Sequence, residues 1–568
     1  MRIKKLLACF GVTLALYAGC VPTEETPDPE PVPIRPATPA SGGVYTASEP
    51  AWPLYEITFT GSDSSEEKRI PVEDLAGHSV YLVKINRGST SVSANRTGHA
   101  YTTSRTANIR TAALPDIAPY SRAALAGGAP VRRDHLEAQL YNSNPRRYAQ
   151  GRSPARAPAA PSGTPAVEGE QRQFHVQNAQ GGWIQIPATV RAQSTYANVW
   201  IADERFDDGS SSQTDNLITA AQAAAMAAKF DSIYGYETAL FGFEYGGKTD
   251  GIYTGQPSGG VDRDLRVQIL VYDIDYDAAV DKKSFVVGYF WAKDLENGAH
   301  SNQAEMFYID SEATDKNPEL AYSTLVHEFQ HMINYNRKFI LSNEMRASST
   351  WFDEMLSMLA EDMISPLIGI NANNSAHPIK GRIPAFIGYY DRGGITGWNT
   401  AEPLISYAVS YGFGAYLARN YGGPSLIKAI MDANEVDIAA INNALNNTPG
   451  GISGSSPFQD ALQRYGEALI FSGGFMPSGA NSFDKDKAGN ADTSNTYTFK
   501  GFDIWDTANP ATGYPGPTVW SLDWQFPMPA YSIIVQSLAD WQGVQGNLNI
   551  TVTKPHNPAN VKLYLMVR

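Results

Sequence analysis

The 568-residue sequence has very little cysteine: only Cys9 and Cys20, both within the first twenty residues. Beyond residue 20 no disulfide can form, and a metal site built on cysteine is excluded. The folded part of the chain must therefore be stabilised by buried apolar cores, with or without a bound metal.

Long apolar runs are also missing beyond the N-terminus, where none reaches the roughly 18 residues of a membrane-spanning helix. The opening "MRIKKLLACFGVTLALYAGC" joins a basic start to a short apolar run and predicts a signal peptide over residues 1–19. Ala18-Gly19-Cys20 resembles the lipobox of bacterial lipoproteins, although Tyr17 stands where leucine is commonest. We expect lipidation of Cys20 and a lipid-anchored protein of the bacterial cell envelope, at the outer membrane or cell surface; the alternative is free secretion.

A basic excess is absent as well. The chain has 44 Lys and Arg against 58 Asp and Glu, for a net charge of −14, which argues against nucleic acid as a partner. Hydrophobic residues make up 43% and charged residues 18%, as in folded proteins, and the length predicts two to four domains. The oligomeric state is left open.

Composition divides the chain into five regions after the signal peptide. The predicted regions are a lipidated cysteine with a Pro-rich tether (20–43), a small β module (44–103), an Ala/Pro/Arg-rich linker or propeptide (104–172), a dense globular domain (173–475) and a C-terminal β-sandwich-like domain (476–568).

The globular region mixes strand and helix signals, so its predicted class is α+β: a mixed sheet with active-site helices and a helical C-terminal subdomain. An Ala-rich helix begins near Asp215 and is expected to end at Gly235. "RVQILVYDI" and "FVVGYFWA" predict buried strands, and "EMFYIDSE" (305–312) predicts an edge strand leading into the next helix.

That next helix contains "HEFQH", in a chain with only nine histidines. At 100° per residue, His327 and His331 lie on one face and can converge on one ion, while Leu325 and Phe329 lie opposite. Glu328 is then placed to take a proton from a water at the metal. An ordinary amphipathic helix with two surface histidines is the alternative.

Zinc in a catalytic site needs a third protein ligand and one open position. The extended metzincin pattern requires glycine and histidine where this chain has Asn334 and Arg337. The next helical segment, "TWFDEMLSMLAEDMI" (350–364), offers Glu354 at the distance of a returning antiparallel helix. The predicted ligands of one Zn²⁺ are therefore His327, His331 and Glu354, and the alternative for Glu354 is a solvated helix acid.

"HEFQHMINYN" followed by "WFDEMLSMLAED" resembles the hyicolysin family of zinc metallopeptidases, among the glutamate-ligand zincins that include thermolysin. The resemblance covers roughly residues 173–474. It implies a zincin fold, one catalytic zinc, hydrolysis of protein or peptide substrates, and the same ligands with Glu328 as general base. The acid that orients a zinc histidine in thermolysin would fall at Met358, so Glu361 or Asp362 is expected to replace it.

The predicted mechanism binds the substrate along the strand 305–312 and needs a donor to the oxyanion, for which Tyr407, Tyr411 and, more remotely, His377 are the candidates. Both tyrosines can instead be core aromatics. The competing functions are a non-catalytic surface lipoprotein (an adhesin or scaffold) with a zincin shell, and structural zinc, which would require a fourth ligand.

Overall fold

The structure is a computed structural model, and it describes part of the chain. The described residues are 54–60, 65–72, 75, 78–102, 131–133, 136–145, 163–178, 180–209, 216–247, 258–274, 284–342, 346–473, 481–490, 495–506, 514, 516–520, 524, 526–539 and 548–568. The predicted signal peptide, Cys20 and the Pro-rich tether lie outside them.

Strands and helices are numbered separately along the chain. The strands are β1 (Leu54–Glu56), β2 (Glu67–Val72), β3 (Val80–Asn86), β4 (Ala100–Thr102), β5 (Val131–Arg133), β6 (Gln171–Gln177), β7 (Trp183–Gln193), β8 (Ala197–Ala202), β9 (Val267–Tyr272), β10 (Ser284–Val286), β11 (Gly288–Phe290), β12 (Met306–Asp310), β13 (Lys487–Asn490), β14 (Thr496–Phe499), β15 (Ser532–Ala539), β16 (Leu548–Thr553) and β17 (Val561–Val567). The helices are α1 (Leu136–Ser143), α2 (Ala220–Phe241), α3 (Ser311–Lys316), α4 (Pro318–Tyr335), α5 (Thr350–Ile364), α6 (Pro378–Tyr389), α7 (Pro403–Asn420), α8 (Pro424–Asp432), α9 (Asp437–Asn447) and α10 (Pro457–Phe471).

A six-stranded mixed sheet forms the centre of the globular region, in the order β11-β12-β9-β8-β7-β6. The middle strands β12, β9 and β8 are parallel, and the outer strands β11, β7 and β6 are antiparallel to their neighbours. The helices α2 and α4 pack on this sheet, and α5 packs on α4. The predicted α+β class, with helices packed on a mixed sheet, is thus confirmed.

The edge of this sheet is not where the sequence predicted it. β12, within the predicted edge segment 305–312, pairs with β9 on one side and with β11 on the other. The outer strand is β11, three residues long, which pairs Gly288 with Ile309 and Phe290 with Phe307. The apolar run "FVVGYFWA" predicted a buried strand without indicating which neighbour it would cover, so the edge prediction was wrong.

The Ala-rich helix α2 also differs from its predicted length. Its N-cap is Thr219, which forms a reciprocal capping box with Gln222, and the helix continues through Gly235. It ends at Gly242, which has a φ of 94°. Glycine within a helix costs only about 1 kcal/mol, and the burial of Leu240 and Phe241 beyond it offsets that cost.

The two predicted β regions at the ends of the chain form one structure. β3 lies between β17 and β15 in a four-stranded sheet, and β16 lies between β2 and β4 in a three-stranded sheet. A shared cluster of buried side chains includes Leu82 and Val80 from the first region and Leu565 and Val552 from the second. Two separate modules, 44–103 and 476–568, were predicted, but β1–β4 and β15–β17 form one β-sandwich, while β13 and β14 pair in a sheet of their own.

Part of the predicted linker is also folded. Within 104–172, β5 pairs in parallel with β10, Val131 aligning with Ser284, and α1 follows it. β6 begins at Gln171, inside the same predicted range. The alternating and periodic patterns of apolar residues in these segments are too short to be recognised within an Ala/Pro/Arg-rich sequence. Among the described residues, no helix is both long and apolar enough to span a bilayer.

Candidate metal centre

Helix α4 places both histidines of the HExxH motif inside the protein. Asn317 caps the helix by accepting a hydrogen bond from the Leu320 N–H, and Pro318 occupies the first helical position. Nearly the whole helix is buried, including His327 and His331. The amphipathic pattern predicted only one buried face. The second face is covered by α5, which the local sequence of α4 does not indicate.

The two imidazoles and Glu354 converge on one point between α4 and α5. Nε2 of His327 lies 3.0 Å from Oε2 of Glu354, and Nε2 of His331 lies 3.5 Å from the same oxygen. One ligand atom from each of the three residues lies within 4.8 Å of the other two, and all three side chains are buried. Two imidazole nitrogens and a carboxylate oxygen are a donor set that suits zinc and related transition metals.

The remaining imidazole nitrogens face carboxylates on α5. Nδ1 of His327 lies 2.6 Å from Oε1 of Glu361, and Nδ1 of His331 lies 3.0 Å from Oδ2 of Asp353. Metal-binding histidines commonly donate their other N–H to a carboxylate, which fixes the tautomer and leaves Nε2 free to bind. The arrangement therefore fits a metal at the point of convergence.

Of the two candidate replacements for Met358, the structure brings Glu361 to the histidine. Asp362 points elsewhere: its carboxylate binds the Arg419 guanidinium, at 3.0 Å.

His377, a third oxyanion candidate, also lies away from the three residues. Its Nδ1 accepts from the Ile379 N–H as the cap of α6, and burial lowers its pKa.

The two candidate tyrosines occupy different surroundings on α7. The Tyr407 hydroxyl donates to Oε1 of Glu354 at 3.2 Å, and the Arg382 guanidinium lies over its ring. The Tyr411 hydroxyl donates to Oδ2 of Asp362 at 2.8 Å, and burial raises the pKa of this fully buried phenol well above its usual range. The structure therefore brings Tyr407, but not Tyr411, to the three converging residues.

Two further acids lie close to this centre. Glu328, the predicted base, is fully buried next to His327. Glu237 on α2 is also fully buried, and burial, followed by the nearby charge of Glu361, raises its pKa well above normal, although His331 acts in the opposite direction. Burial of this kind favours the neutral form of the carboxyl over its charged form.

Sequence reasoning missed three residues at the centre: Asp353, Ser357 and Gln139. Asp353 directly precedes Glu354, and the Ser357 hydroxyl lies 3.1 Å from Nδ1 of His331. Helical projection of 350–364 could have drawn attention to both. Gln139 on α1 donates from Nε2 to Oε1 of Glu354 and also contacts the Tyr407 hydroxyl. Nothing in its own Ala/Pro/Arg-rich surroundings indicates this contact.

The HExxH helix packs on a mixed sheet with an antiparallel outer strand, and a second helix brings a glutamate to both histidines. This arrangement is that of a metallopeptidase domain. Comparison with known proteins identifies the family within this class. The sequence model of the family Peptidase M30 matches residues 184–499, more than half of the chain. The chain therefore belongs to the peptidase M30 family, and the predicted hyicolysin resemblance is confirmed.

One similar protein is the neutral metalloprotease ShpI of Staphylococcus hyicus, which is 32% identical over 277 residues. The match covers 46% of this chain and 53% of ShpI, so it spans about half the length of that relative. The matched family implies a metal as cofactor, in agreement with the donor set of His327, His331 and Glu354.

Proposed function

We propose that this chain is an exported zinc-dependent endopeptidase. The observation that carries the proposal is the convergence of His327, His331 and Glu354, with each imidazole backed by a carboxylate at Nδ1. Under this proposal the three residues hold one zinc ion. The family match and the metalloprotease relative support peptide hydrolysis as the activity.

When bound, zinc supplies Lewis acidity to an attacking water and to the carbonyl of the substrate. Glu328 takes the proton from the attacking water and delivers it to the leaving amine as the peptide bond breaks. Tyr407 donates a hydrogen bond to the developing oxyanion, as its hydroxyl beside Glu354 allows. Glu361 and Asp353 hold the imidazoles in the orientation and tautomer that binding requires.

We further propose that the substrate lies along β11 rather than along the strand 305–312. β12 already has partners on both sides, whereas β11 is the outermost strand of the sheet. An extended peptide can add to such an edge through main-chain hydrogen bonds. The carbonyl of Phe290 and the N–H of Ala292 are the backbone groups that this edge offers next to the centre.

The decisive experiment compares the purified chain with Glu328→Gln, which keeps the size of the side chain and removes its basicity. Casein cleavage and zinc content are measured before and after limited trypsin digestion, followed by a trypsin inhibitor. We expect about one zinc per chain in both proteins, and loss of cleavage by a factor of about 10³ or more in the variant. Glu319→Gln, in the first turn of the same helix, is the matched control.

Three outcomes would count against this proposal. A chain that binds no zinc has no metal centre at these residues. A chain that binds zinc but leaves casein intact in both states is either a peptidase too selective for casein or the non-catalytic surface lipoprotein considered above. A Glu328→Gln variant that cuts as fast as the parent removes Glu328 from the mechanism.

The sequence also supports a proposal about location: cleavage after residue 19 and lipidation of Cys20 would hold the protein at the bacterial envelope. In cells fed radiolabelled palmitate, the parent should incorporate the label and pellet with membranes. Cys20→Ser should do neither, and an unlabelled parent found in the medium would indicate free secretion.

A further inference from the structure

Helix α1 covers the proposed active site. β5 and α1 precede the region matched by the peptidase family model, which begins at residue 184. β5 attaches this segment to β10, in parallel register from Val131 to Arg133. The helix that follows lies at the mouth of the cleft between β11 and α5, where Gln139, Asn142 and Glu354 line the same cavity.

Gln139 contacts the proposed catalytic groups directly. Its Nε2 donates to Oε1 of Glu354 and contacts the Tyr407 hydroxyl, while the other oxygen of Glu354 faces the two histidines. A side-chain amide is the same chemical group as a peptide bond. Gln139 thus holds its amide nitrogen against the Tyr407 hydroxyl, the group that the proposed mechanism needs for the oxyanion, and a substrate carbonyl reaches this hydroxyl only when Gln139 has left.

Asn142 occupies the proposed substrate edge one helical turn later. Its Nδ2 donates to the Phe290 carbonyl at 2.8 Å, and its Oδ1 accepts from the Ala292 N–H at 2.9 Å. These are the backbone groups on either side of Trp291, and an added peptide strand would use the same kind of donor and acceptor. A bound substrate and Asn142 therefore compete for the same two groups.

Tyr141 anchors the helix from between these two residues. It is 8% exposed, and burial together with its hydrogen bond to Glu296 raises the pKa of its phenol far above normal. With α1 in place, Glu354 is 1% exposed and His331 5%. A polypeptide substrate has no path to residues buried to this degree.

We propose that β5 and α1 belong to an internal inhibitory segment, which holds the full chain latent by filling the substrate cleft with the side-chain amides of Gln139 and Asn142. This inference rests on the proposed function. Cleavage between this segment and the peptidase domain relieves the inhibition. The connecting sequence 146–162 contains Arg146, Arg147, Arg152 and Arg156, so the activating partner is an arginine-specific peptidase.

Limited trypsin digestion of the zinc-loaded chain tests the latency. After trypsin is inhibited, we expect casein cleavage to rise about tenfold or more with unchanged zinc content. The double variant Gln139→Ala/Asn142→Ala should raise the activity of the uncut chain in the same direction, because it loses the contacts that favour the closed state. Leu140→Ser, on the exposed side of the same helix, should leave it unchanged.

Two readouts do not depend on the uncut variant being active. A chelator should extract zinc more slowly from the uncut parent than from the processed chain or the double variant. A synthetic peptide of residues 131–145 should inhibit the processed chain, and the same peptide with both Gln139→Ala and Asn142→Ala should not. The peptide assay decides the question if the double variant does not fold.

The outcomes separate the two proposals. If the uncut parent is as active as the processed chain and the peptide does not inhibit, the latency is refuted while the peptidase function stands. If the processed chain binds zinc but cuts nothing, the proposed function fails. Inhibition by the parent and altered peptides alike would assign the effect to a nonspecific contact and overturn the roles of Gln139 and Asn142.

Discussion

Two adjacent carboxylates on α5 have opposite surroundings. Glu361 lies 2.6 Å from Nδ1 of His327 and faces the proposed metal centre. Asp362, about 100° further around the helix, binds the fully buried Arg419 and accepts from Tyr411. One acid thus contacts a proposed metal ligand, while its neighbour neutralises a cation in the core. The difference indicates that residue type and burial alone do not distinguish a functional acid from a structural one; the partner does.

Removing the structural acid should have the largest effect. Asp362→Asn leaves the Arg419 guanidinium buried without its ion-pair partner, which typically costs about 3–5 kcal/mol. Urea unfolding should reveal this loss of stability. The control is Glu312→Gln, whose ion pair with Lys316 is partly exposed and should contribute less than about 0.5 kcal/mol. Equal losses of stability in the two variants would show that the buried ion pair of Asp362 with Arg419 contributes no more than a partly exposed one.

The two tyrosines on α7 extend the comparison, because one contacts the proposed metal centre and the other contacts the acid in the core. In trypsin-processed protein, Tyr407→Phe should lower kcat by about 10²–10³ with zinc content unchanged, because it removes a donor to the oxyanion. Tyr411→Phe should keep its kcat and lose about 1–3 kcal/mol of stability, because Asp362 loses a buried hydrogen bond. Steady-state kinetics and urea unfolding of both variants test this. A reversed pattern would assign the oxyanion to Tyr411.

The smallest expected effect concerns the acid at the metal centre. Glu361→Gln should weaken zinc binding by about 10- to 100-fold, because a neutral amide holds the His327 imidazole less well than a carboxylate. Competition against a chromogenic chelator measures this affinity. Glu319→Gln on α4 should not change it. Unchanged zinc affinity in Glu361→Gln would show that its contact with Nδ1 does not support the metal.

Prediction from sequence succeeded where the relevant geometry is local. His327, Glu328 and His331 lie within five residues of one helix, so helical periodicity places both imidazoles on one side. Glu354 could be inferred because the next segment is a second helix of suitable spacing. The structure brings the two histidines and Glu354 together as that geometry requires. Their role as zinc ligands remains a prediction for the experiments above.

Prediction failed where contacts join distant segments. β3 and β17 pair across almost the whole chain, with Val80 opposite Val567, yet each strand alone reads as part of its own module. The same limit explains the misplaced sheet edge. An apolar strand of three residues, β11, carries no local signal for the neighbour it covers or for the side of the sheet that it leaves open.

The sequence by itself determined the α+β class, the motif helix, its acidic partner helix and the peptidase family, because all of these depend on residue type and short-range spacing. Only the tertiary structure decided that Glu361 supports His327, that Asp362 belongs to the core, and that α1 covers the cleft. The physical reason is that a carboxylate or an amide acquires its role from the groups that surround it. In this chain those groups come from segments as far apart as Gln139 and Tyr407.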